Sequence, residues 1–298
     1  MRLTFLGRRI KKLTPWLALL PMVVITVVCY LGTTLWSLRI SLSSSHNIPI
    51  DDFIGFRQYQ RLLENRRWID SLENLLMFGL CFVTASMVIG LVLAIVIDQK
   101  IRAESLFRSI FLYPYAMSFI ATGIVWQWVL NPESGLQHSV RALGWSGFNF
   151  DWLVSQDNAI YAVAIAAVWQ ASGFVMAIFL AGLRSIDAEI WSATRIDGIP
   201  AWRVYMSIII PMLKPMISIV FLLLATNVIK VYDVIISMTQ GGPGMASDVP
   251  SKFIMDHLFS RANISLASAG TIMLLAMVLV FIIPIWIWRK RDLTGENH

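Results

Sequence analysis

Residues 184–206, which read R-S-I-D-A-E-I-W-S-A-T-R-I-D-G-I-P-A-W-R-V-Y-M, are the most informative stretch of the chain. Apolar residues recur here with a helical period among charged ones, whereas the flanking stretches are almost purely apolar. Asp187 is placed to cap the start of a helix, Gly198 is placed to end it, and Pro200 is suited to open the next one. The sequence therefore predicts a short amphipathic helix, a glycine turn and a second helix.

The predicted short helix has one apolar face, formed by Ile186, Ile190, Ala193 and Ile196. Its charged residues lie on the other faces and are Asp187, Glu189, Arg195 and Asp197. The apolar face has to contact something other than water. A groove on a cytoplasmic partner, the lipid interface and the chain's own helical bundle are three interpretations that the pattern leaves open.

The composition of the whole chain is that of a membrane protein. Of its 298 residues, 57% are hydrophobic and only 14% are charged, and the mean hydropathy is +0.68. Soluble domains have about 45–50% apolar and about 25% charged residues. We therefore exclude an ordinary soluble enzyme, a disordered chain and a nucleic-acid-binding module. The two cysteines, Cys29 and Cys81, lie in apolar runs and predict neither a disulfide nor a metal site.

Six stretches are long and apolar enough to cross a bilayer as helices. They cover residues 14–38, 74–97, 109–132, 158–183, 204–229 and 262–288. Only Lys214 interrupts the fifth stretch, and its ammonium can extend to the near interface. The sequence predicts an all-α polytopic protein with one transmembrane domain over residues 14–288, between short cytoplasmic ends at 1–13 and 289–298.

The distribution of basic residues predicts the orientation of these spans. With the N-terminus inside, the inner segments hold 14 Lys and Arg and the longer outer segments hold 8. Excess positive charge on the cytoplasmic side is the usual bias of membrane proteins. We therefore expect a multi-pass protein, embedded in membrane lipid, with both termini in the cytoplasm.

Residues 189–215 resemble the loop motif of binding-protein-dependent ABC importer permeases, E-A-A-x-x-x-G followed by I-x-x-P-x-x-x-P. Here the matching residues read E-I-W-S-A-T-R-I-D-G over Glu189–Gly198 and I-I-P-M-L-K-P over Ile209–Pro215. Gly198 matches the glycine of the motif, and Pro211 and Pro215 match its two prolines. These prolines are expected to bend the helix near the membrane surface.

Further motifs resemble the sugar subfamily of these permeases and occur in the same order along the chain. They are F-I-G-F-R-Q-Y at 53–59, W-Q-A-S-G-F-V-M-A-I-F-L-A-G-L at 169–183 and M-T-Q-G-G-P-G at 238–244. The last is similar to the T-x-G-G-P outer loop of maltose-type, α-glucoside-type and glycerol-phosphate-type permeases.

The resemblance implies the type I ABC importer permease fold, in which a cytoplasmic coupling helix lies in the loop at 184–206. It implies that an ATPase subunit docks on this helix, through Glu189, Ser192, Ala193, Asp197 and Gly198. Ser192 stands where the motif has glutamate, so we expect Glu189, one turn earlier, to take over part of that contact.

The resemblance also implies which partners supply the energy. The chain contains no G-x-x-x-x-G-K-[ST] phosphate loop, so we expect it to bind no cofactor and no ATP itself, and to be no enzyme. Two ABC ATPase subunits, a second homologous permease subunit and an extracytoplasmic solute-binding protein are the implied partners. The implied location is the bacterial cytoplasmic (inner) membrane.

A sugar pathway needs hydrogen-bonding groups and aromatic faces inside the spans. The candidates are Trp126, Gln127, Trp169, Gln170, Asn227, Tyr232 and Asp233. Trp126 and Tyr232 could also serve as interfacial anchors.

The alternative function is a secondary transporter driven by an ion gradient. Such a protein is expected to carry ionisable residues in the middle of its spans. The spans contain only Lys214 and the flanking Lys230, and neither is central. The sequence therefore favours the importer permease.

Overall fold

A computed structural model describes residues 19–294 apart from residues 51 and 100, and from residue 281 onward it describes the backbone alone. The predicted cytoplasmic segment 1–13, residues 14–18 of the first predicted span and residues 295–298 of the tail lie outside the described residues. The described part of the chain is helical and has no β-strand beyond one isolated bridge, between Ser43 and Phe53.

The helices are numbered here in chain order. They are α1 (Leu19–Ser41), α2 (Arg57–Glu64), α3 (Arg66–Asp98), α4 (Glu104–Ala116), α5 (Phe119–Val129), α6 (Leu136–Ala142), α7 (Ala159–Arg184), α8 (Ala188–Ile196), α9 (Ala201–Met212), α10 (Lys214–Ile229), α11 (Asp233–Met238), α12 (Pro250–Met255) and α13 (Ile264–Thr294). Helices α1 and α9 each contain a π-helical turn, and another follows α12.

Several of these helices are long and apolar enough to cross a membrane. Three helices meet this criterion on their own, namely α1, α3 and α7. The pairs α4–α5 and α9–α10 each qualify when taken together, and they are bent by 101° and 70°. Helix α13 is apolar over Ile264–Val280 within the residues whose side chains are described. Each predicted span overlaps with one helix or one bent pair, and the span bounds and the count of six stay predictions.

The chain divides into two compact units, one of residues 66–253 and one of the residues up to 65 together with those from 254. In the second unit α13 packs against α1 and α2. The hydroxyl of Ser265 donates to the carbonyl of Ser45 at 2.8 Å, and the hydroxyls of Ser43 and Ser45 lie 2.6 Å apart. These buried hydrogen bonds join the end of α1 to the start of α13.

Helix α7 is the centre of the unit 66–253. It packs along α3 and also contacts α4 and α10. Alanines make up much of its buried surface, and small residues allow membrane helices to approach closely. At Gly173 the approach is closest, because an added Cβ would lie 1.7 Å from the carbonyl oxygen of Phe111 on α4.

The third predicted span, 109–132, is not one continuous helix in the structure. It begins earlier, at Glu104, and turns by 101° between α4 and α5. Pro114 removes one amide donor from the last turn of α4. Ser118 then caps α5, because its hydroxyl accepts from the amide of Ala121 at 3.1 Å. The donor that stabilises the bend comes from α7, where Nε2 of Gln170 donates to the carbonyl of Met117 at 2.8 Å.

The fifth predicted span, 204–229, contains the bend that its prolines predict. Helix α9 ends and α10 begins around Leu213, between Pro211 and Pro215. Pro215 has no amide hydrogen, so the helical hydrogen bond that would join its amide to Pro211 is absent. Lys214 is exposed at this bend.

Candidate functional site

The glycine turn after α8 has the geometry of a Schellman motif. Gly198 adopts the left-handed conformation, with φ of +64°. Its amide donates to the carbonyl of Arg195 at 3.3 Å, and the amide of Ile199 donates to that of Thr194 at 3.2 Å. This pair of hydrogen bonds ends helices in a fixed direction. Asp187 precedes the helix as predicted, although its side chain makes no capping hydrogen bond.

The face of α8 that packs against the chain itself differs from the predicted apolar face. Thr194 is buried, and Trp191 packs against the core with its ring 5.8 Å from that of Tyr205 on α9. Ala193 is exposed, and Ile196 has 85% of its surface exposed. The predicted apolar face is therefore divided: Ile186 packs against the core and Ile190 is half-buried, whereas Ala193 and Ile196 remain uncovered.

The five predicted coupling residues are all exposed. Glu189, Ser192 and Ala193 lie on α8, and Asp197 and Gly198 follow at its end. The hydroxyl of Ser192 donates to the carbonyl of Ala188 at 2.9 Å, so this side chain lies along its own helix rather than reaching outward as glutamate would. Together with Ile196, these residues form one surface, named here the α8 surface.

Three predicted pathway residues line one small recess of about 60 Å³. These are Gln170, Asn227 and Asp233, and the recess is closed by Lys230 and by aromatic rings that include Phe78 and Tyr115. A volume of this size accommodates a few water molecules. It is well below the roughly 300 Å³ at which ligand pockets begin.

A larger cavity, of about 850 Å³, lies between α3, α4 and α7. Trp169 is the predicted pathway residue that lines it. Hydroxyl groups and further rings line it as well, from Tyr113, Tyr161, Ser172 and Trp152. This volume is typical of ligand pockets.

The structure thus separates the predicted pathway residues. Trp126 contacts Trp169, with ring centroids 5.8 Å apart in an edge-to-face arrangement. Gln127 is exposed on α5 and Tyr232 is half-buried before α11, and neither lines the recess or the large cavity. The sequence did not single out Tyr161, although it lies two helical turns before Trp169 and so on the same face of α7.

The residues that follow the loop at 238–244 are anchored to the first turns of α3. The amide group of Asn74 donates to the carbonyls of Met245 and Asp248, both at 3.0 Å. The buried carboxylate of Asp248 accepts from Nε of Arg67 at 2.5 Å. These contacts join residues 245–248 to α3.

Comparison with known protein families identifies the family to which this chain belongs. The model of the family described as "Binding-protein-dependent transport system inner membrane component" matches residues 86–290, more than half of the chain. The chain belongs to this family.

Curated relatives of this permease family align over nearly the full chain. A probable ABC transporter permease protein of Pyrococcus horikoshii is 35% identical over 285 residues, which are 95% of this chain and 96% of the relative. The xylose/arabinose import permease protein XacH of Haloferax volcanii is 30% identical over 269 residues, or 89% and 84% of the two chains.

A solved structure shares the fold of this permease. It is that of a bacterial alginate ABC transporter in complex with an alginate pentasaccharide-bound periplasmic protein. One of its chains superposes with a TM-score of 0.79 at 19% identity, covering 93% of this chain and 94% of that one. The chain is thus a membrane permease component with the type I importer fold, as its sequence predicts.

Proposed function

We propose that this permease is the transmembrane subunit of an ATP-driven importer that moves a sugar or a sugar-like solute inward by alternating access. Two ATPase subunits, a second homologous permease and an extracytoplasmic solute-binding protein complete the transporter. The chain spans the cytoplasmic membrane with both termini in the cytoplasm, and ATP is bound by the partner subunits.

The observation that carries this proposal is the α8 surface. It offers an uncovered Ile196 beside Ala193 and the carboxylate of Glu189, on a helix whose opposite side packs against its own chain through Trp191. An apolar residue flanked by charges is suited to insertion into a groove of a partner protein. An ATPase subunit is the partner that the family requires on the cytoplasmic side.

The connections of α8 support its role in transmitting motion. The Schellman turn at Gly198 fixes the direction of the following helix, and the contact of Trp191 with Tyr205 joins α8 to α9. A displacement of α8 is therefore passed to the bend at Leu213 and on to α10, rather than absorbed by a flexible loop. Such rigid-body movement opens and closes a path between helices.

The solute path is proposed to run through the large cavity, beside Trp169. Its lining is mostly apolar, with aromatic rings on which the apolar face of a sugar can stack and a few hydroxyl groups at its wall, and its volume fits a sugar. The relationship to the permease XacH, named for the import of xylose and arabinose, supports a sugar as the solute. The loop at 238–244 is proposed to contact the solute-binding protein.

Reconstitution tests this proposal. The chain is co-expressed with its three kinds of partner, purified and placed in proteoliposomes with ATP at the ATPase side. We expect uptake of a radiolabelled sugar, from a panel of pentoses, maltose and glycerol 3-phosphate, to require both ATP and the binding protein. Uptake driven by a proton or sodium gradient without any ATPase would contradict the proposal.

The two cavities make different predictions for the path. We expect Trp169→Ala to lower uptake by at least about tenfold, equivalent to a lost interaction of about 1.4 kcal/mol. Asn227→Ala and Asp233→Ala, at the recess, should lower uptake less, with ATPase association intact in all three variants. If uptake falls more in the recess variants than in Trp169→Ala, the solute path runs through the recess and not through the large cavity.

A further inference from the structure

Arg184, the last residue of α7, joins three helix ends. Its Nη2 lies 2.7 Å from Oε1 of Glu104, the first residue of α4. Its Nε lies 3.4 Å from Oδ1 of Asp98, the last residue of α3. The arginine thus connects both sides of the short turn between α3 and α4, and α8 begins four residues after it.

The charges of this cluster make Arg184 its central member. Asp98 and Glu104 flank the same turn, so without a cation between them two carboxylates would face each other. Glu104 lies at a helix N-terminus and Arg184 at a helix C-terminus, where each charge is favoured by the helix dipole. The guanidinium can serve both acids because it carries several donors in a fixed plane.

The exposure of the cluster argues against a mainly stabilising role. The side chain of Arg184 is 41% exposed, and those of Asp98 and Glu104 are 22% and 27% exposed. Ion pairs this accessible to water contribute little to folding. Breaking them should therefore leave the fold intact and reveal whether the geometry matters for transport.

We propose that Arg184 is a positioning residue for transport, which clamps the base of α8 to the turn between α3 and α4. Because residues 185–187 alone separate Arg184 from α8, a force on the α8 surface reaches this turn through the ion pairs. Helix α3 lines the large cavity, so the clamp gives α8 a second route to the solute path, besides the route through α9 and α10. This inference rests on the proposed function.

The test measures the number of solute molecules imported per ATP hydrolysed, in proteoliposomes that contain the complete transporter. We expect Arg184→Ala and Arg184→Glu to assemble in normal amounts and to hydrolyse ATP, but to lower this ratio about fivefold or more, as loss of a coupling free energy does. The double variant Arg184→Glu with Glu104→Arg restores the shorter ion pair but leaves a carboxylate opposite Asp98, so it should recover part of the ratio.

Arg102→Ala is the matched control. Arg102 is exposed in the same turn and makes no ion pair within the described residues, so its loss removes the same charge without opening the clamp. A normal ratio of imported solute to hydrolysed ATP in Arg184→Ala would overturn the clamp. An equal loss of this ratio in Arg102→Ala would also overturn it. So would a charge-swap variant in which the ratio does not recover. These outcomes leave the proposed function standing if wild-type uptake needs ATP. Wild-type uptake without ATP would overturn both.

Discussion

The backbone changes direction sharply in two regions, and these are held by different means. In the α4–α5 bend, Gln170 donates a hydrogen bond from a distant helix to the carbonyl of Met117. From α8 to α10 the direction is set by residues of the segment itself, with Gly198 in the left-handed conformation and Pro211 and Pro215 at the second bend. The first bend thus combines the local signals of Pro114 and Ser118 with a tertiary hydrogen bond, whereas the second region relies on local backbone chemistry.

This difference also separates two functional roles. The α4–α5 bend lies beside the recess and the large cavity, where stable contacts with α7 keep the lining residues in position. The α8–α10 region runs from the α8 surface to the apolar helix α10, and in the proposed function its locally defined shape moves as one body. Substitutions in the α4–α5 bend should therefore change stability, and substitutions in the α8–α10 region should change energy coupling.

The largest effect on coupling is expected at Gly198. The left-handed conformation costs a residue with a side chain about 1–2 kcal/mol, so Gly198→Trp should redirect α9. An added Cβ meets no atom within 4 Å, hence the effect comes from backbone strain and not from a clash inside the chain. We expect ATP hydrolysis to continue while solute import per ATP falls at least about fivefold.

Gly198→Asn is the control for this prediction, because asparagine tolerates the left-handed conformation better than other residues with a side chain. It should retain most of the import. Normal coupling in Gly198→Trp would contradict the role given to the turn.

A loss of stability is expected at Gln170. Gln170→Leu removes the donor to the carbonyl of Met117 and leaves this oxygen unpaired, at a cost of about 1–3 kcal/mol in the free energy of unfolding. The thermal midpoint in detergent should fall accordingly, whereas import per ATP in the surviving transporter should change little. Gln60→Leu, at an exposed position on α2, should leave the midpoint unchanged. Equal midpoints for the two variants would mean that Gln170 does not hold the bend.

The smallest effect is expected from the prolines. Pro211→Ala with Pro215→Ala restores two amide donors, so α9 and α10 can approach one continuous helix. We expect the angle between them to fall below 70°, measured from spin labels placed on the two helices, with a change in stability of about 1 kcal/mol or less. Pro49→Ala, in an exposed loop, is the control. An unchanged angle would show that tertiary contacts also set this bend.

The same difference explains how much the sequence could predict. Gly198 and the two prolines act through their own backbone conformations, so the turn after α8 and the bend at Leu213 follow from the residues themselves. The hydrogen bond between Gln170 and Met117 joins residues 53 positions apart, so no local sequence pattern predicts it. The 101° bend was therefore not predicted within the span 109–132.

The candidate site was predicted unevenly for a related reason. The coupling residues lie on one short helix, so their common exposure follows from helical geometry. The pathway residues come from α5, α7, α10 and α11, and only packing decides which of them share a cavity. Trp169 and its sequence neighbour Gln170 line different cavities because successive residues of a helix point to different faces, and the helices packed on those faces are not evident from the sequence.

The proposed mechanism depends on a contact between the α8 surface and the ATPase. It is tested most directly by a photoreactive amino acid at position 196, irradiated in membranes that contain the assembled transporter. Ile196 is 85% exposed, so the probe should not disturb the fold. We expect a cross-link to the ATPase subunit whose yield changes when ATP is bound. Cross-links only to lipid or to the permease itself would contradict the account.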